Sequence, residues 1–301
     1  MKKNLPASIV IDGHQDFLLI SAVAADIIQR AGGTEALAAS FSTMLRQCVD
    51  DVIMTPKTGR RSYDELEKTE KTYIGTRVEI ELRSMLNLKR GKLDTVILGH
   101  DVDIKNTMGS NWMIPTEAVG NPCILVAADE VRAVSYLGLT VARPEYLTVG
   151  QNKDSKKSIS AVGFANILWL LNEHPYPPNF WRTVPTDVIE RIFDGKSGNR
   201  RVMALFREVQ RVPITRDVIE AVAQQQDFMR RIRADNSKGT RDHLASEGVL
   251  LLSGHYDAPL IKALGLPRCT GSEFVSYRPN TRAEVAIAAS AGITLLWNEG
   301  V

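Results

Sequence analysis

Residues 93–105, LDTVILGHDVDIK, decide how this chain reads. Two short runs of alternating side chains flank a glycine, which is the pattern of a β-hairpin. A two-residue turn at Gly99-His100, glycine first, would pair Leu98 with Asp101, Val96 with Asp103 and Asp94 with Lys105. Side chains alternate along a strand, and paired residues share a face. Asp94, Asp103 and Lys105 therefore emerge together, while Thr95, Ile97, Val102 and Ile104 point the other way and supply a buried side. The two carboxylates become diagonal neighbours, roughly 7–8 Å apart at the backbone. Such a pair can share a hard cation such as Mg²⁺, which takes oxygen ligands. An ammonium beside it can position or deprotonate a water and stabilise charge on a phosphate. Asp-x-Lys is also a cheap pattern at ordinary composition, so a solvated strand face is the other reading of the same residues.

Working outward, the segment before the hairpin spaces Ile74, Val78, Leu82 and Met85 as a helix over 72–86. Glu79 sits beside that stripe, in line with Leu82 and Leu86. A carboxylate at the buried edge of a helix needs a partner. A cation held by Asp94 and Asp103 would supply one; an ordinary half-exposed glutamate is the alternative. Two earlier helices are expected over 15–30 and 35–51, separated by Gly32-Gly33 with Thr34 as N-cap. After the hairpin, NPCILVAADE reads as a strand covered on both faces and AVSYLGLTVARP as a second. Helix, hairpin and buried strands together predict an α/β fold, a mixed sheet flanked by helices.

The whole chain has 301 residues, 44% of them hydrophobic, and a net charge of only +2. That length suits two domains with a substantial core. The boundary is expected in LNEHPYPPNFWRTVP, with prolines at 175, 177, 178 and 185. Beyond it, PTDVIERIF, NRRVMALFREV and TRDVIEAVAQQQDFMRRIRA read as helices. Pro213 and Thr215 make a sharp turn and a capped start before the last of these, the outline of a helix-turn-helix. EGVLLLSGH is expected as a strand pair or wing, and APLIKALGLP as a short terminating helix. Residues 191–241 hold 12 basic side chains, 10 of them Arg, against 6 acidic ones. That bias fits a phosphate footprint or a solvated surface of mixed charge.

Three scattered cysteines without a C-x-x-C pairing argue against structural zinc and disulfides and for a reducing compartment. Asp12, His14 and Asp16 interrupt the N-terminal segment before its apolar run, which reads as a cytoplasmic start and not a signal peptide. No stretch approaches the roughly 18 uncharged apolar residues that span a bilayer.

Longer stretches carry a resemblance. DELEKTEKTYIGTRVEIEL, DVDIK and NWMIPTEAVG, then VPTDVIERIF, ALFREVQR, VIEAVAQQQDFMRRIR and EGVLLLSGHYDAPLIKALGLP, are similar in the same order to restriction endonucleases of the NaeI type. The similarity runs from about 58 to 267. It implies a PD-(D/E)xK endonuclease core related to MutH over 1–171, a linker over 172–184, and a DNA-binding domain over 185–301 with a helix-turn-helix of the catabolite-activator kind. It further implies a type IIE enzyme. In that scheme a homodimer cleaves one copy of a palindromic, GC-rich site in double-stranded DNA with Mg²⁺ while a second copy is bound as effector. Glu79, Asp94, Asp103 and Lys105 fall on the family's catalytic positions. Ile104 stands where the family carries cysteine, and its carbonyl remains available to the metal beside Asp94, Asp103 and Glu79. Arg60, Arg61, Lys68 and Lys71 are expected as backbone contacts leading to the site, and Arg216, Arg230, Arg231 and Arg233 as contacts to effector DNA. Two rival readings keep the same core: a MutH-like nicking repair nuclease, and a DNA-binding regulator that does not cut.

Overall fold

The computed structural model describes residues 5–224, 232, 239–293 and 295. Its contacts gather into two units, Met1–Ile53 with Ser62–Asn179, and Met54–Arg61 with Phe180–Val301.

In the first unit, helix α1 (Phe17–Arg30) buries Ile20, Val23, Ala24 and Ile27, a single stripe at helical spacing. Helix α2 (Thr34–Ile53) starts on Thr34 itself, and the Gly33 carbonyl accepts from Leu37 N–H, so the cap lies one residue earlier than expected. The short α3 (Thr55–Thr58) falls in the second unit. Helix α4 (Lys68–Met85) begins with a capping box between Glu67 and Glu70 and buries Ile74, Val78 and Leu82. Helices α1, α2 and α4 cover one face of a five-stranded sheet.

The sheet order is β1 (Thr95–Ile97), β2 (His100–Thr107), β4 (Pro122–Asp129), β5 (Val134–Val141) and β8 (Leu168–Pro175). Only the β2–β4 pair is parallel. The expected mixed α/β sheet flanked by helices is therefore present. β4 is buried along nearly its whole length because both faces are covered. Ile104, Ile124 and Val126 face the helices; Cys123, Leu125 and Ala127 face a second core around Trp112 and Phe164. That second side carries α5 (Ala161–Ala165) and a small sheet of β3 (Met113–Ile114), β7 (Lys157–Ile159) and β6 (Leu147–Gln151).

The hairpin forms, with a different turn. Thr95 pairs with Val102, Val96 with Asp101 and Ile97 with His100, so the turn residues are Leu98 and Gly99. Their φ angles, 51° and 83°, are both positive, as a hairpin turn of the I′ kind requires. A Gly99-His100 turn of type II′ has its positive φ only at the glycine, and the expected pairing is displaced by two residues. A shift of two preserves the faces. Thr95, Ile97, Val102 and Ile104 are all fully buried, as expected. Asp94 and Asp103 lie one residue beyond the Thr95–Val102 pair, where the ladder ends, so the expected diagonal pairing of the two within the hairpin does not form.

The proline-rich stretch is packed: Pro175 ends β8, and Tyr176, Asn179 and Trp181 are buried. Tyr176 donates to Glu130, which also receives two hydrogen bonds from Arg46; Arg46 in turn binds Asp50 bidentately.

Among its described residues the second unit holds, besides α3, α6 (Phe180–Thr183), α7 (Thr186–Phe193), α8 (Gly198–Glu208), α9 (Arg216–Ala223), α10 (Thr240–Ser246), α11 (Ala258–Ala263), α12 (Arg282–Ser290) and an antiparallel ribbon of β9 (Leu250–Ser253) and β10 (Phe274–Tyr277). EGVLLLSGH supplies one strand of this ribbon and not a pair, and the helix in APLIKALGLP is followed by β10 and α12. The α8–α9 connection is not a tight turn: Ile214 bridges to Phe274 and Arg211 N–H donates to the Ser276 carbonyl, pinning it to β10. α9 stops at Ala223, with Gln224 left-handed at φ 52°. Arg201 explains the stop, donating to the carbonyls of Val222 and Ala223 at 2.7 and 2.9 Å and to Gly195 at 3.0 Å. A guanidinium on the last carbonyls of a helix satisfies acceptors that have no intrahelical donor.

Candidate active site

Asp94, Asp103, Ile104 and Lys105 converge at the open edge of the five-stranded sheet, where β1 meets β2. Lys105 Nζ is 2.8 Å from Asp103 Oδ1, 3.5 Å from Asp94 Oδ2 and 3.1 Å from the Ile104 carbonyl. Ile104 N–H donates to Asp94 Oδ2 at 2.7 Å. Asp103 is 3% exposed, and its Oδ2 is buried with no hydrogen-bond partner among the described residues. Glu79, half-buried on α4, completes the acidic surroundings; burial and the Asp94 charge raise its pKa, against Lys105 and Arg83.

The electrostatics follow from this crowding. Burial pushes Asp103 up to about 7 in spite of Lys105, with the charge of Asp94 adding to the rise. Burial alone would lower the Lys105 ammonium. The hydrogen bond and charge of Asp103, joined by Asp94 and Glu79, outweigh it and raise Lys105 instead. With these carboxylates unshared, Lys105 is therefore a cation at neutral pH, suited to donating hydrogen bonds and offsetting charge.

The donors suit a hard divalent cation. They are all oxygens, two carboxylates and a main-chain carbonyl, and one carboxylate oxygen is orphaned in a buried position where an unpaired acceptor is costly. Among the described residues no three His, Cys, Asp or Glu side chains gather as a ligand set. A site of this kind would thus rest on two side chains and the Ile104 carbonyl, with Glu79 at its border.

The remaining expected residues are dispersed. Lys68 is exposed at the start of α4, and Lys71 lies over the Tyr63 ring and donates to the Asp64 carbonyl. Arg60 and Arg61 belong to the second unit, where the Arg61 guanidinium lies 4.3 Å over Phe193 and 5.7 Å from Trp181. Arg216 is exposed at the first turn of α9. Arg230, Arg231 and Arg233 lie outside the described residues. Of the basic side chains in 191–241, Arg191 pairs with Asp187 and Glu208, Arg207 with Glu247 and Arg241 with Asp257, and Arg201 caps α9. These four of the described basic side chains are engaged within the fold.

Sequence reading passed over Arg83, whose Nη1 donates to the Asp94 carbonyl at 3.1 Å. Its one signal was position, a single turn beyond Glu79 on the same helix face.

The profile of the restriction endonuclease NaeI family matches residues 34–292. The chain belongs to the NaeI family of restriction endonucleases. The match extends beyond 58–267 in both directions and takes in both units. The chain is 37% identical over 246 residues to the type II restriction enzyme NaeI of Lentzea aerocolonigenes, covering 78% of this chain and 76% of that enzyme. It is thus a homologue of a type II restriction enzyme. No helix among the described residues is long and apolar enough to cross a membrane.

Proposed function

We propose that this chain is a Mg²⁺-dependent, site-specific endonuclease of type IIE that hydrolyses phosphodiester bonds in double-stranded DNA. The observation that carries the reading is the meeting of Asp94, Asp103, the Ile104 carbonyl and a charged Lys105 within one side-chain layer, in a chain of this family. Asp94, Asp103 and the Ile104 carbonyl would hold the cation, with Glu79 beside them. Bound there, it would supply Lewis-acid stabilisation of charge on the phosphate and lower the pKa of a water. Asp94 is held at its carboxylate by Ile104 N–H, so its oxygens are set before substrate arrives. Lys105 donates from a rigid strand, orienting the attacking water and offsetting charge on the scissile group.

In this reading the endonuclease domain spans 1–171 and the DNA-binding domain 185–301, the latter built on a helix-turn-helix of the catabolite-activator kind. The protein acts as a homodimer, cutting one copy of a palindromic, GC-rich site while the second domain grips another as effector. Lys68 and Lys71 for the cleaved DNA, and Arg216, Arg230, Arg231 and Arg233 for the effector, are the proposed contacts, with Arg60 and Arg61 on the approach. Arg61 contributes chiefly through its packing on Phe193. The place of action is the cytoplasm.

The test uses supercoiled plasmids carrying one or two copies of the mapped site. Linear product that forms faster on the two-copy plasmid, or on the one-copy plasmid with added site-bearing oligonucleotide, is expected. Nicked circles alone would favour a MutH-like nicking enzyme, and uncut plasmid a non-cleaving regulator.

A further inference from the structure

Asp94 stands outside the β1–β2 ladder, whose first pair is Thr95 with Val102. The adjoining loop is tied back on itself: Thr95 Oγ1 and Val96 N–H both donate to the Lys89 carbonyl, and Lys92 N–H donates to Asp101 Oδ1. Of the two aspartates, Asp94 is thus the one that no strand pairing holds. Lys105 reaches it at only 3.5 Å, and does so with the same ammonium that serves Asp103 and the Ile104 carbonyl. Those are the oxygens that would meet a divalent cation, and two cations repel across so short a span. When a cation takes them, Lys105 is the partner that must yield.

Two contacts on Asp94 do not depend on Lys105. Ile104 N–H fixes the carboxylate, and Arg83 Nη1, reaching from α4, fixes the main-chain carbonyl. Arg83 also stands four residues beyond Glu79, where its charge partly offsets that carboxylate. One side chain therefore ties the helix that carries Glu79 to the residue that presents Asp94.

We infer that Arg83 is a positioning residue of the cation site: its hydrogen bond to the Asp94 carbonyl holds Asp94 and Glu79 at a fixed separation, and so sets how tightly the site takes a divalent cation. This rests on the metal-dependent reading proposed above. Arg83 touches neither the reacting phosphate nor the cation. Its loss is expected to weaken metal binding while leaving turnover at saturating metal nearly intact.

The experiment measures Mn²⁺ binding to the full-length protein by electron paramagnetic resonance, without DNA, for the wild type and for Arg83→Met, Arg83→Lys and Arg77→Ala. Arg77 lies on the same helix but pairs with Asp51 and Glu81, and controls for general loosening of α4. The expected result is a five- to twenty-fold weaker Mn²⁺ affinity in Arg83→Met, recovery to within threefold in Arg83→Lys, and no change in Arg77→Ala. The Mg²⁺ concentration giving half-maximal cleavage should move in parallel, with the saturated rate within threefold of wild type. Affinity in Arg83→Met within twofold of wild type would overturn the inference, as would an equal loss in Arg77→Ala. A wild-type protein that binds no Mn²⁺ would overturn the metal-dependent reading itself, and this inference with it.

Discussion

Lys105 and Asp103, two residues apart on β2, share a face of the sheet and an ion pair of 2.8 Å. Asp103 is buried and Lys105 partly so; burial raises the Asp103 pKa against the pull of Lys105, whereas Asp103 raises that of Lys105. The pair is worth more as chemistry than as stability, because desolvation offsets much of the attraction between buried charges. Replacing Lys105 by Ala is expected to lower the cleavage rate by at least about 100-fold, the scale of losing a preorganised charge-stabilising group. Binding of the same DNA, measured by fluorescence anisotropy with Ca²⁺ in place of Mg²⁺, should stay within a few-fold of wild type. A comparable loss of binding would assign Lys105 to holding DNA and not to the cleavage step.

The pKa of Asp103, raised to about 7 by burial, sets a pH dependence. The neutral acid prevails below that value and cannot ligate a cation through both oxygens, so cation binding must release its proton. The Mg²⁺ concentration for half-maximal cleavage should therefore rise by up to about tenfold per pH unit below 7 and level off above it. The same raised pKa means that Asp103 contributes stability at low pH that is lost as pH rises through about 7. Without metal, Asp103→Asn should raise the melting temperature more at pH 8 than at pH 5.5. A flat Mg²⁺ requirement between pH 6 and 8 would count against this assignment.

The Arg46 cluster is structural. Arg46 is largely buried and ties Asp50 on its own helix to Glu130 at the β4–β5 turn, while Tyr176 donates to the same Glu130. Removing the guanidinium leaves a buried carboxylate without its counter-charge, which costs about 3–5 kcal/mol. Urea unfolding of Arg46→Ala should show a loss of that size. A loss under about 1 kcal/mol would place the cluster with surface ion pairs.

Leu98 carries a strain that substitution can relieve. It is half-exposed and holds φ 51° at the hairpin turn, a conformation costing a residue with a Cβ about 1 kcal/mol. Leu98→Asn creates the Asn-Gly pair favoured in such turns. Stability should rise by roughly 0.5–1 kcal/mol with cleavage unchanged, read by urea unfolding and a plasmid assay. A loss of stability would mean that the Leu98 side chain contributes packing that outweighs its backbone cost.

In the second unit, Arg201→Ala removes three hydrogen bonds to main-chain carbonyls. A loss of about 2–3 kcal/mol is expected, with hydrogen exchange accelerated first at the C-terminal amides of α9. Unchanged exchange there would remove Arg201 as the reason the helix ends where it does.

These cases also show what the sequence made legible. Alternation along 94–105 assigned each side chain to the right face, because period-two patterning is a local property and survives a shift of two in register. It misplaced the turn, because a leucine at positive φ is not a preference that Leu98 advertises. β4 was legible from an unbroken apolar run. The end of α9 was not, since the group that stops it, Arg201, lies on another helix and reaches it only in the fold. Arg201 and Arg207 counted toward a phosphate footprint or a solvated surface in sequence for a similar reason: Val222, Ala223 and Glu247, which they bind, lie 21 to 40 residues away. Arg83 carries no motif, and its hydrogen bond to a main-chain carbonyl leaves no trace in residue identity. Likewise, nothing in PKTGRRS announces that 54–61 packs with the second unit.

The most direct measurement is digestion of a long, sequence-diverse DNA by the purified protein with Mg²⁺ or with EDTA, beside Asp103→Ala and Lys105→Ala. On the metal-dependent reading, discrete fragments form with Mg²⁺ only, their ends share one palindromic sequence, and neither variant yields fragments. DNA left intact with Mg²⁺ and added site-bearing oligonucleotide, or cut equally well by Asp103→Ala, would contradict it.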